Sequence, residues 1–400
     1  MSVKDQQSSR NTKAKLGRRG FLISATLVAG GTILGLGYKK WGSRYRNRSA
    51  EEVELQDPRI FIRIDPDNTI TLMSQHLEMG QGILTGLATI VANEMDASWD
   101  QMRVEQAPAD RSRFKAHSTT ASASLAMSWE PLRLVAAAAR KMLVEAAADE
   151  WGVRPRAITL ADGHLSVDGR ELSASFGDFA AAAAERPTPR IEDVRVKDRS
   201  DWTLIGKDLP RIDGEDKVNG RAEFGMDVRR PDMVRAVIAR PPRFGARLEG
   251  FDAAPALAVP GVLEVVALPN AVAVLAEHTW SAMKGRDALV TSWNDAQAET
   301  RSSDEMVRDF SRRAGEPGVA ALRIGDAEES LKAPAKTLEF EYRFPYLAHA
   351  AMEPLNAVIE TVPEGARVWA GSQMPPYDQD IIAEILEIED PSKVEFNTVL

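Results

Sequence analysis

The sequence predicts an α+β fold, and its 400 residues suggest about two to three domains. Residues 70–95 predict a strand, a glycine-containing turn and a helix, because apolar residues from Ile83 onward recur at helical spacing. A long alanine-rich helix is predicted to begin with an N-cap at Ser128 and to end near Trp151. From residue 205 to residue 300, short strands alternate with helices, which indicates a separate and smaller unit.

The composition excludes several classes of function. Hydrophobic residues make up 44% of the chain and charged residues 27%, an ordinary globular balance. The net charge of −9 argues against nucleic-acid binding as the main activity. The chain has no cysteine, so it holds no iron–sulfur cluster, thiolate-bound zinc, disulfide or thiol nucleophile. Any redox chemistry must therefore use a cofactor that other groups hold.

The first 50 residues predict export from the cytoplasm. Arg18 and Arg19 precede a Phe-Leu pair and a glycine-rich apolar run, the pattern of a twin-arginine signal. We therefore expect the protein in the periplasm or on the periplasmic face of the inner membrane. Residues 20–38 could remain as a membrane anchor, because no clear cleavage site precedes Lys39. The alternative is a basic tail followed by an ordinary buried helix, which four glycines disfavour.

The remaining elements are predicted from alternating apolar residues and from turn residues. Hairpins are expected at residues 60–74 and 158–172, a strand at 102–105 and a short helix at 176–185. The stretch at residues 186–197 is rich in proline and charge and predicts a domain boundary. Later strands are predicted at residues 234–239, 262–268, 272–276, 337–344, 358–361, 366–369 and 394–400, with helices at 279–288 and 381–386.

The most informative stretch is Met79, Gly80, Gln81 and Gly82, between the predicted strand and helix. Two glycines let the backbone approach a ligand closely. Free N–H groups at the start of a helix, backed by its positive end, attract anions. The Gln81 amide can both donate and accept. These features suit the oxygen atoms of a large anionic cofactor, and the alternative is a plain strand-to-helix turn with a glycine corner.

Three further stretches are candidates for a site. Residues 117–124 are small and hydroxylated, so they form either a second cofactor-contacting loop or a solvated connection. Gln373 follows a predicted strand and precedes two prolines, which predicts a rigid, exposed amide or a simple loop. In residues 348–356, His349 and Glu353 are four apart, but Pro354 argues against a continuous helix. A hydrogen-bonded His–Glu pair in a cleft is favoured there over a metal pair, and a plain turn is the alternative.

Together these stretches resemble the large, molybdenum-binding subunit of the xanthine dehydrogenase/aldehyde oxidase family. The sequence is most similar to the branch of isoquinoline 1-oxidoreductase β subunits and membrane-associated aldehyde dehydrogenases. The order of the motifs is specific, although each alone is weak. The motifs are the Arg18–Arg19 signal and residues 78–82 with Thr85, 128–129, 140–143, 210–213, 217–222, 348–356 and 371–373.

The resemblance implies a molybdopterin cofactor with molybdenum, usually as the cytosine dinucleotide in bacteria. The implied cofactor-binding residues are Met79, Gly80, Gln81, Gly82, Thr85 and Gln373, and the implied cleft-lining residues are His349, Met352, Glu353 and Asn356. No residue is expected to bind the metal directly. The Gln373 amide would face an oxo ligand of molybdenum. Leu84 departs from the family, since many relatives carry histidine there, and we expect this to alter a contact only.

The resemblance also implies a domain order. After the signal and linker at residues 1–50, residues 51–195 would form the N-terminal half of a split molybdopterin-binding domain. Residues 205–300 would form an inserted hammerhead-like α/β domain. Residues 335–400 would begin the first molybdopterin-binding lobe.

The implied reaction is hydroxylation of an aldehyde or an N-heteroaromatic compound with water as the oxygen donor. A glutamate base takes the proton in this family, and electrons leave through the pterin. Because this chain has no cysteine, the iron–sulfur clusters must lie on a separate small 2Fe–2S subunit. A cytochrome c is a further candidate electron acceptor.

The end of the chain departs from the family pattern. A strand like that at residues 394–400 is followed in relatives by a Gly-Gly-Gly-Phe-Gly loop, and the catalytic glutamate lies further on. Neither is in these 400 residues, so the sequence predicts a truncated product or fragment that does not turn over substrate alone. Glu353 is not expected to replace the missing base. The alternatives are an exported binding or assembly module and a periplasmic α+β protein whose motifs are coincidental.

Overall fold

The computed structural model describes residues 55–114 and 117–400. The predicted export signal and the predicted anchor at residues 20–38 lie outside these ranges. Within the described ranges, no helix is both long enough and apolar enough to span a bilayer. The chain divides into two compact units. The first contains the residues up to Met226 together with Asn356–Leu400, and the second contains Asp227–Leu355.

The first unit begins with a three-stranded sheet. A single helical turn, α1 (Pro58–Phe61), leads into β1 (Ile62–Ile64), which pairs antiparallel with β2 (Ile70–Ser74). The helix α2 (Ile83–Met95) then carries the chain to β3 (Met102–Gln106), which lies parallel to β2. The predicted turn, helix and strand at 102–105 are therefore confirmed, and so is the first hairpin, except that Ile60 and Phe61 lie in α1 and not in its first strand. The glycine turn lies between the end of β2 and the start of α2.

The long helix α3 (Ser124–Trp151) packs against α2. The predicted start at Ser128 is wrong, because the helix begins four residues earlier and contains Pro131 in its interior. The Ser128 hydroxyl does not cap the helix but lies 2.9 Å from the Nε2 of His76. Alanines such as Ala136 and Ala88, both fully buried, allow the two helices to approach closely. The core of the first unit lies between these helices and the first sheet.

A small meander follows α3. It consists of β4 (Ile158–Ala161), β5 (His164–Val167) and β6 (Ser173–Ser175), and it ends in α4 (Phe176–Ala184). The predicted hairpin and short helix are confirmed. The tight turn between β4 and β5 is formed by Asp162 and Gly163, which both have positive φ values, of 48° and 72°.

Residues 186–213, here called the connecting segment, lie within the first unit. The segment contacts α2 and α3 through a buried glutamate. The Glu94 carboxylate accepts from Arg133 Nε at 2.6 Å and from the Lys197 amide at 3.0 Å. The Arg133 guanidinium lies over the rings of Trp129 and Trp202, 5.3 and 5.7 Å from their centroids. These contacts fix the path of the segment toward the glycine turn.

The chain returns to the first unit with a second three-stranded sheet. The strands β12 (Val358–Val362) and β13 (Gly365–Ala370) form the predicted hairpin, and β14 (Val394–Thr398) pairs parallel with β13. The connecting helix α10 (Pro375–Ile385) begins six residues before the predicted start at residue 381. Prolines fit the first helical turn, whose N–H groups lack intrahelical partners, so the two prolines start the helix rather than delay it. Gln373 lies between β13 and α10.

The second unit has its own antiparallel sheet, in the order β7 (Arg235–Ala239), β10 (Ala271–Ala276) and β9 (Val262–Leu268). The predicted strands and the predicted helix at residues 279–288 are confirmed. Helix α5 (Gly214–Asn219) still belongs to the first unit. The elements that follow it in the second unit are β7 (Arg235–Ala239), β8 (Arg247–Asp252), α6 (Ala254–Leu257), β9 (Val262–Leu268), β10 (Ala271–Ala276), α7 (Thr279–Ala288) and β11 (Val290–Asn294). Val272 and Val274 of the central strand are fully buried.

The rest of the second unit has little regular structure. It contains α8 (Ser303–Ala314) and α9 (Ala327–Lys332). The strand predicted at residues 337–344 is wrong, since no strand is formed there. The sequence does alternate, but Leu338, Phe340 and Tyr342 are 65 to 74% exposed, and no described strand pairs with the segment. Alternation predicts which side chains share a face, but a strand also needs a hydrogen-bonding neighbour.

Candidate functional site

The glycine turn, defined as residues 77–82, has a backbone that only glycine adopts easily. Gly80 and Gly82 have φ values of 101° and 82°, in the left-handed region. No atom lies within 4 Å of the position that a Cβ would take at either residue. The glycines are therefore required by the backbone and not by crowding. The open space beside them leaves the backbone accessible to a ligand.

A buried carboxylate occupies the inside of this turn. Glu78 Oε1 accepts from the amides of Gly80 and Gly82 at 2.8 and 3.0 Å, and Oε2 accepts from the Leu84 amide at 3.3 Å. The prediction that these N–H groups are free to bind an anionic cofactor is therefore wrong for these three amides. The positive end of α2 attracts a carboxylate of the chain itself, which lies close enough to reach it.

The Gln81 side chain is held on the outside of the turn. Its Oε1 accepts from the Met79 amide at 2.7 Å, and its Nε2 donates to the Leu77 carbonyl at 2.8 Å. The residue is nevertheless exposed. A primary amide offers two N–H donors and two lone pairs, so one donor and one lone pair remain for a ligand. The amide is thus fixed in place and partly available.

The connecting segment closes the turn from the other side. Arg211 donates to Glu78 Oε1 and to the Gly80 carbonyl, both at 3.0 Å. The Thr85 hydroxyl accepts from the Ile212 amide at 3.1 Å, so this predicted cofactor-binding residue contacts the segment. Burial alone would raise the pKa of Asp213, but hydrogen bonds from Arg211 and Lys217 outweigh it and lower the pKa to about 2. Asp213 is therefore charged and holds Arg211 at 2.9 Å.

Thr119 joins the glycine turn to the Gln373 loop. Its hydroxyl accepts from the Leu77 amide at 2.7 Å. Its own amide donates to the Gln373 carbonyl at 2.7 Å, and its carbonyl accepts from Gln373 Nε2 at 2.6 Å. Gln81 is in turn bonded to Leu77. The structure thus links the two predicted amides, Gln81 and Gln373, through one short chain of hydrogen bonds.

The loop that contains Thr119 also carries a histidine that is buried and has no hydrogen-bond partner among the described residues. Neither ring nitrogen of His117 has a hydrogen-bond partner in the part of the chain that the structure describes. Burial, with a smaller contribution from His76, lowers the pKa of His117 to about 4. The ring contributes to the lining of a cavity of about 380 Å³, together with Phe114, Ser118 and Tyr377. A neutral imidazole offers one donor and one acceptor to an occupant of this cavity.

His76 links the same loop to α3 through its two ring nitrogens. Its Nδ1 lies 2.8 Å from the Ser118 carbonyl, and its Nε2 lies 2.9 Å from the Ser128 hydroxyl. A carbonyl only accepts, so Nδ1 carries the hydrogen and Nε2 accepts from Ser128. Burial lowers the pKa of His76, which keeps the ring neutral.

The predicted cleft-lining residues lie in an irregular stretch of chain. His349 and Met352 are exposed, and Met352 is 99% exposed. Both belong to the second unit with Glu353, whereas Asn356 belongs to the first. No helix or strand contains any of the four. Their role at a substrate cleft stays a prediction.

Sequence reasoning missed the residues that organise the site. Glu78 and Arg211 were only parts of matching motifs, and Thr119 was one of several small residues in a loop. An acidic residue two positions before a glycine at a helix start is a local signal for Glu78. The partners of Arg211 and Thr119 are distant along the chain, and no local pattern indicates them.

Comparisons with known proteins identify the family of the chain. Family models of the molybdopterin cofactor-binding domain match residues 14–228 and 312–398. The first match alone covers more than half of the chain, so the protein belongs to the class that binds molybdopterin. More particularly, it belongs to the large, molybdopterin-binding subunits of the xanthine dehydrogenase/aldehyde oxidase family.

Individual relatives are distant. The chain is 29% identical over 421 residues to isoquinoline 1-oxidoreductase subunit beta of Brevundimonas diminuta, covering 94% of this chain and 54% of that protein. It is 28% identical over 407 residues to membrane-bound aldehyde dehydrogenase (pyrroloquinoline-quinone) of Gluconacetobacter polyoxogenes, covering 97% and 52%. The chain thus spans about half the length of these curated relatives. Quinoline 2-oxidoreductase from Pseudomonas putida 86 gives a TM-score of 0.37 at 16% identity, covering 49% of this chain and 30% of that one.

Because His117 is buried and has no hydrogen-bond partner among the described residues, we expect the free energy of unfolding to fall in acid. Its pKa of about 4 lies below the ordinary value of 6.5, so below pH 6.5 the unfolded chain binds a proton that the folded chain resists. The free energy of unfolding should therefore fall by about 1–2 kcal/mol between pH 7.5 and pH 4.5 on account of this group.

Urea unfolding at both pH values measures this change. His117→Phe should remove that part of the pH dependence, whereas the control His164→Gln changes an exposed histidine and should keep it. Equal pH dependence in wild type and His117→Phe would show that His117 is not held neutral.

Proposed function

We propose that the turns joined by Thr119 hold a molybdopterin cytosine dinucleotide, and that the chain serves in a molybdenum hydroxylase large subunit. The observation that carries the proposal is the hydrogen-bonded link between Gln81, Thr119 and Gln373. Three turns that are distant along the chain meet there. The family match supports the cofactor class, and the cytosine dinucleotide form is part of the proposal.

The groups present fit such a cofactor. A pterin has amide-like edges that donate and accept hydrogen bonds, and Gln81 and Gln373 offer fixed side-chain amides for them. The open space beside Gly80 and Gly82 admits a flat ring close to the backbone. The pterin would hold the molybdenum, so none of these residues would need to bind the metal directly. When bound, the cofactor supplies the metal and the two-electron redox chemistry.

The residues of this chain orient the cofactor rather than react. Thr119 keeps both amides in place, and its neighbour His117 stays neutral, so it adds no positive charge beside the cavity that it lines. The paired Gln373 side chain is held at one end of the linked turns, where the family resemblance puts an oxo ligand of molybdenum. Positioning of this kind lowers a reaction barrier by reducing the freedom of the bound groups.

The substrate class is an aldehyde or an N-heteroaromatic compound, with water as the oxygen donor. The names of the two curated relatives support both alternatives. Since the chain has no cysteine, electrons must pass to a separate subunit that carries 2Fe–2S clusters, and a cytochrome c is the proposed final acceptor. Purification without any iron-containing partner from the native host would contradict this part.

Two further proposals concern organisation and location. Residues 205–300 are proposed to correspond to the hammerhead-like α/β domain, which the antiparallel sheet of the second unit supports. The twin arginines at residues 18–19 support export to the periplasm, with residues 20–38 as a candidate anchor. Cell fractionation tests this location: replacing both arginines by lysine should leave the protein in the cytoplasm, and unchanged export would contradict it.

Cofactor content gives the direct test of the proposed function. Protein isolated from a host that makes the cofactor should contain molybdenum and release cytidine monophosphate, each near one per chain. Gly82→Ala should lower both by about tenfold, because a side chain strains the turn and enters the open space beside it. Metal analysis and nucleotide release after acid treatment measure the two quantities.

Gly169→Ala is a matched control for this experiment. Gly169 also has a positive φ, of 73°, and no atom lies within 4 Å of the position that its Cβ would take, but it lies in the turn between β5 and β6. The variant should lose a similar amount of stability and keep its cofactor. Wild-type protein without molybdenum would contradict the proposed function. A loaded chain without turnover would favour the binding or assembly module instead.

A further inference from the structure

The glycine turn contains a negative charge of its own. The Glu78 side chain has no solvent exposure, yet it is an acidic group in a turn at the protein surface. Burying a carboxylate is costly unless it is paired and hydrogen-bonded. Glu78 meets this condition with three amides and one guanidinium, the last from Arg211, which lies 133 residues later in the chain.

The position of this carboxylate is the position that an external anion would take. The first N–H groups of a helix, with the helix dipole behind them, form a ready-made anion site. At the start of α2, Glu78 uses the amides of Gly80, Gly82 and Leu84. A phosphate of a bound cofactor cannot use the same three amides while the carboxylate is there.

The positive charge that pairs with Glu78 comes from Arg211 in the connecting segment. Arg211 also donates to the Gly80 carbonyl, so it holds the turn by its backbone as well as by Glu78. Asp213 fixes Arg211, and Lys217 donates to Asp213 at 2.6 Å. The negative charges of Glu78 and Asp213 equal the positive charges of Arg211 and Lys217. The cluster therefore stabilises the turn without presenting a net charge to a ligand.

We infer that Glu78 is a positioning residue that forms the cofactor turn before any ligand binds and reserves it for the pterin rather than for a phosphate. With the amides occupied, the turn offers a ligand the Gln81 amide and the open space beside Gly80 and Gly82. Arg211 completes the arrangement from the connecting segment. The inference rests on the proposed function for the identity of the ligand, but the filled anion site is a property of the turn itself.

Glu94 is a matched control on the same helix. Its side chain is also fully buried, and it pairs with one arginine, as Glu78 does, and with one backbone amide: Arg133 Nε at 2.6 Å and the Lys197 amide at 3.0 Å. Glu94 lies at the other end of α2 and not in the turn. Loss of either carboxylate leaves a buried arginine or amide unpaired, so both should destabilise the fold.

The experiment compares Glu78→Ala with Glu94→Ala in the full chain. Both variants should unfold at lower urea concentration than wild type. Only Glu78→Ala should lose molybdenum and cytidine monophosphate, by about tenfold. Only Glu78→Ala should bind inorganic phosphate at the vacated amides, which appears as a rise of its thermal midpoint with added phosphate. If Glu78→Ala does not fold, Glu78→Gln keeps the size of the side chain and should still lose cofactor.

The outcomes separate the two proposals. If wild type carries cofactor and Glu78→Ala or Glu78→Gln carries as much, the inference is overturned and the proposed function stands. If wild type carries none, the proposed function fails, and the phosphate titration alone decides whether Glu78 fills an anion site. No phosphate effect on a folded Glu78→Ala would overturn that claim too.

Discussion

Thr119 makes the hydrogen bonds on which the candidate site depends. Its hydroxyl accepts from the Leu77 amide in the glycine turn. Its backbone amide donates to the Gln373 carbonyl, and its carbonyl accepts from the Gln373 side chain. Thr119 is 4% exposed, so water does not compete freely for these bonds. Without them, the turn before α2 and the loop before α10 would lose the hydrogen bonds that join them through Thr119. These bonds therefore hold Gln81 and Gln373 close to each other.

Two buried carboxylates hold the connecting segment against the rest of the first unit. The segment contacts the body of the first unit at Glu94 and again at Glu78, and each buried carboxylate is met by an arginine and by backbone amides. Removing Arg133 or Arg211 should be destabilising, because it leaves a fully buried carboxylate without its cation. The stretch that looks like a linker by composition therefore stabilises the glycine turn. This also accounts for the occurrence of residues 210–213 among the motifs of the resemblance.

Local sequence patterns predicted the elements that depend on local causes. The strand, turn and helix at residues 70–95 follow from apolar spacing and two glycines, and the strands β9 and β10 follow from two short apolar runs. The start of α3 was misplaced because Ser128 has the chemistry of a cap but is used by His76. The strand expected at residues 337–344 failed because alternation says nothing about a partner. Within the site, Gln81 and Gln373 were found from their neighbours in sequence, whereas the roles of Glu78 and Thr119 depend on contacts that sequence order hides.

Amide hydrogen exchange tests the link through Thr119 most directly. The amides of Leu77 and Thr119 should exchange at least about a hundredfold slower than free peptide, since both are buried and hydrogen-bonded. Thr119→Ala should speed exchange at Leu77, while Thr119→Ser, which keeps the hydroxyl, should not. Mass spectrometry with residue-level fragmentation provides the measurement. Exchange of both amides at the free rate in the wild-type protein would contradict the account, because the turns would then not be joined in solution.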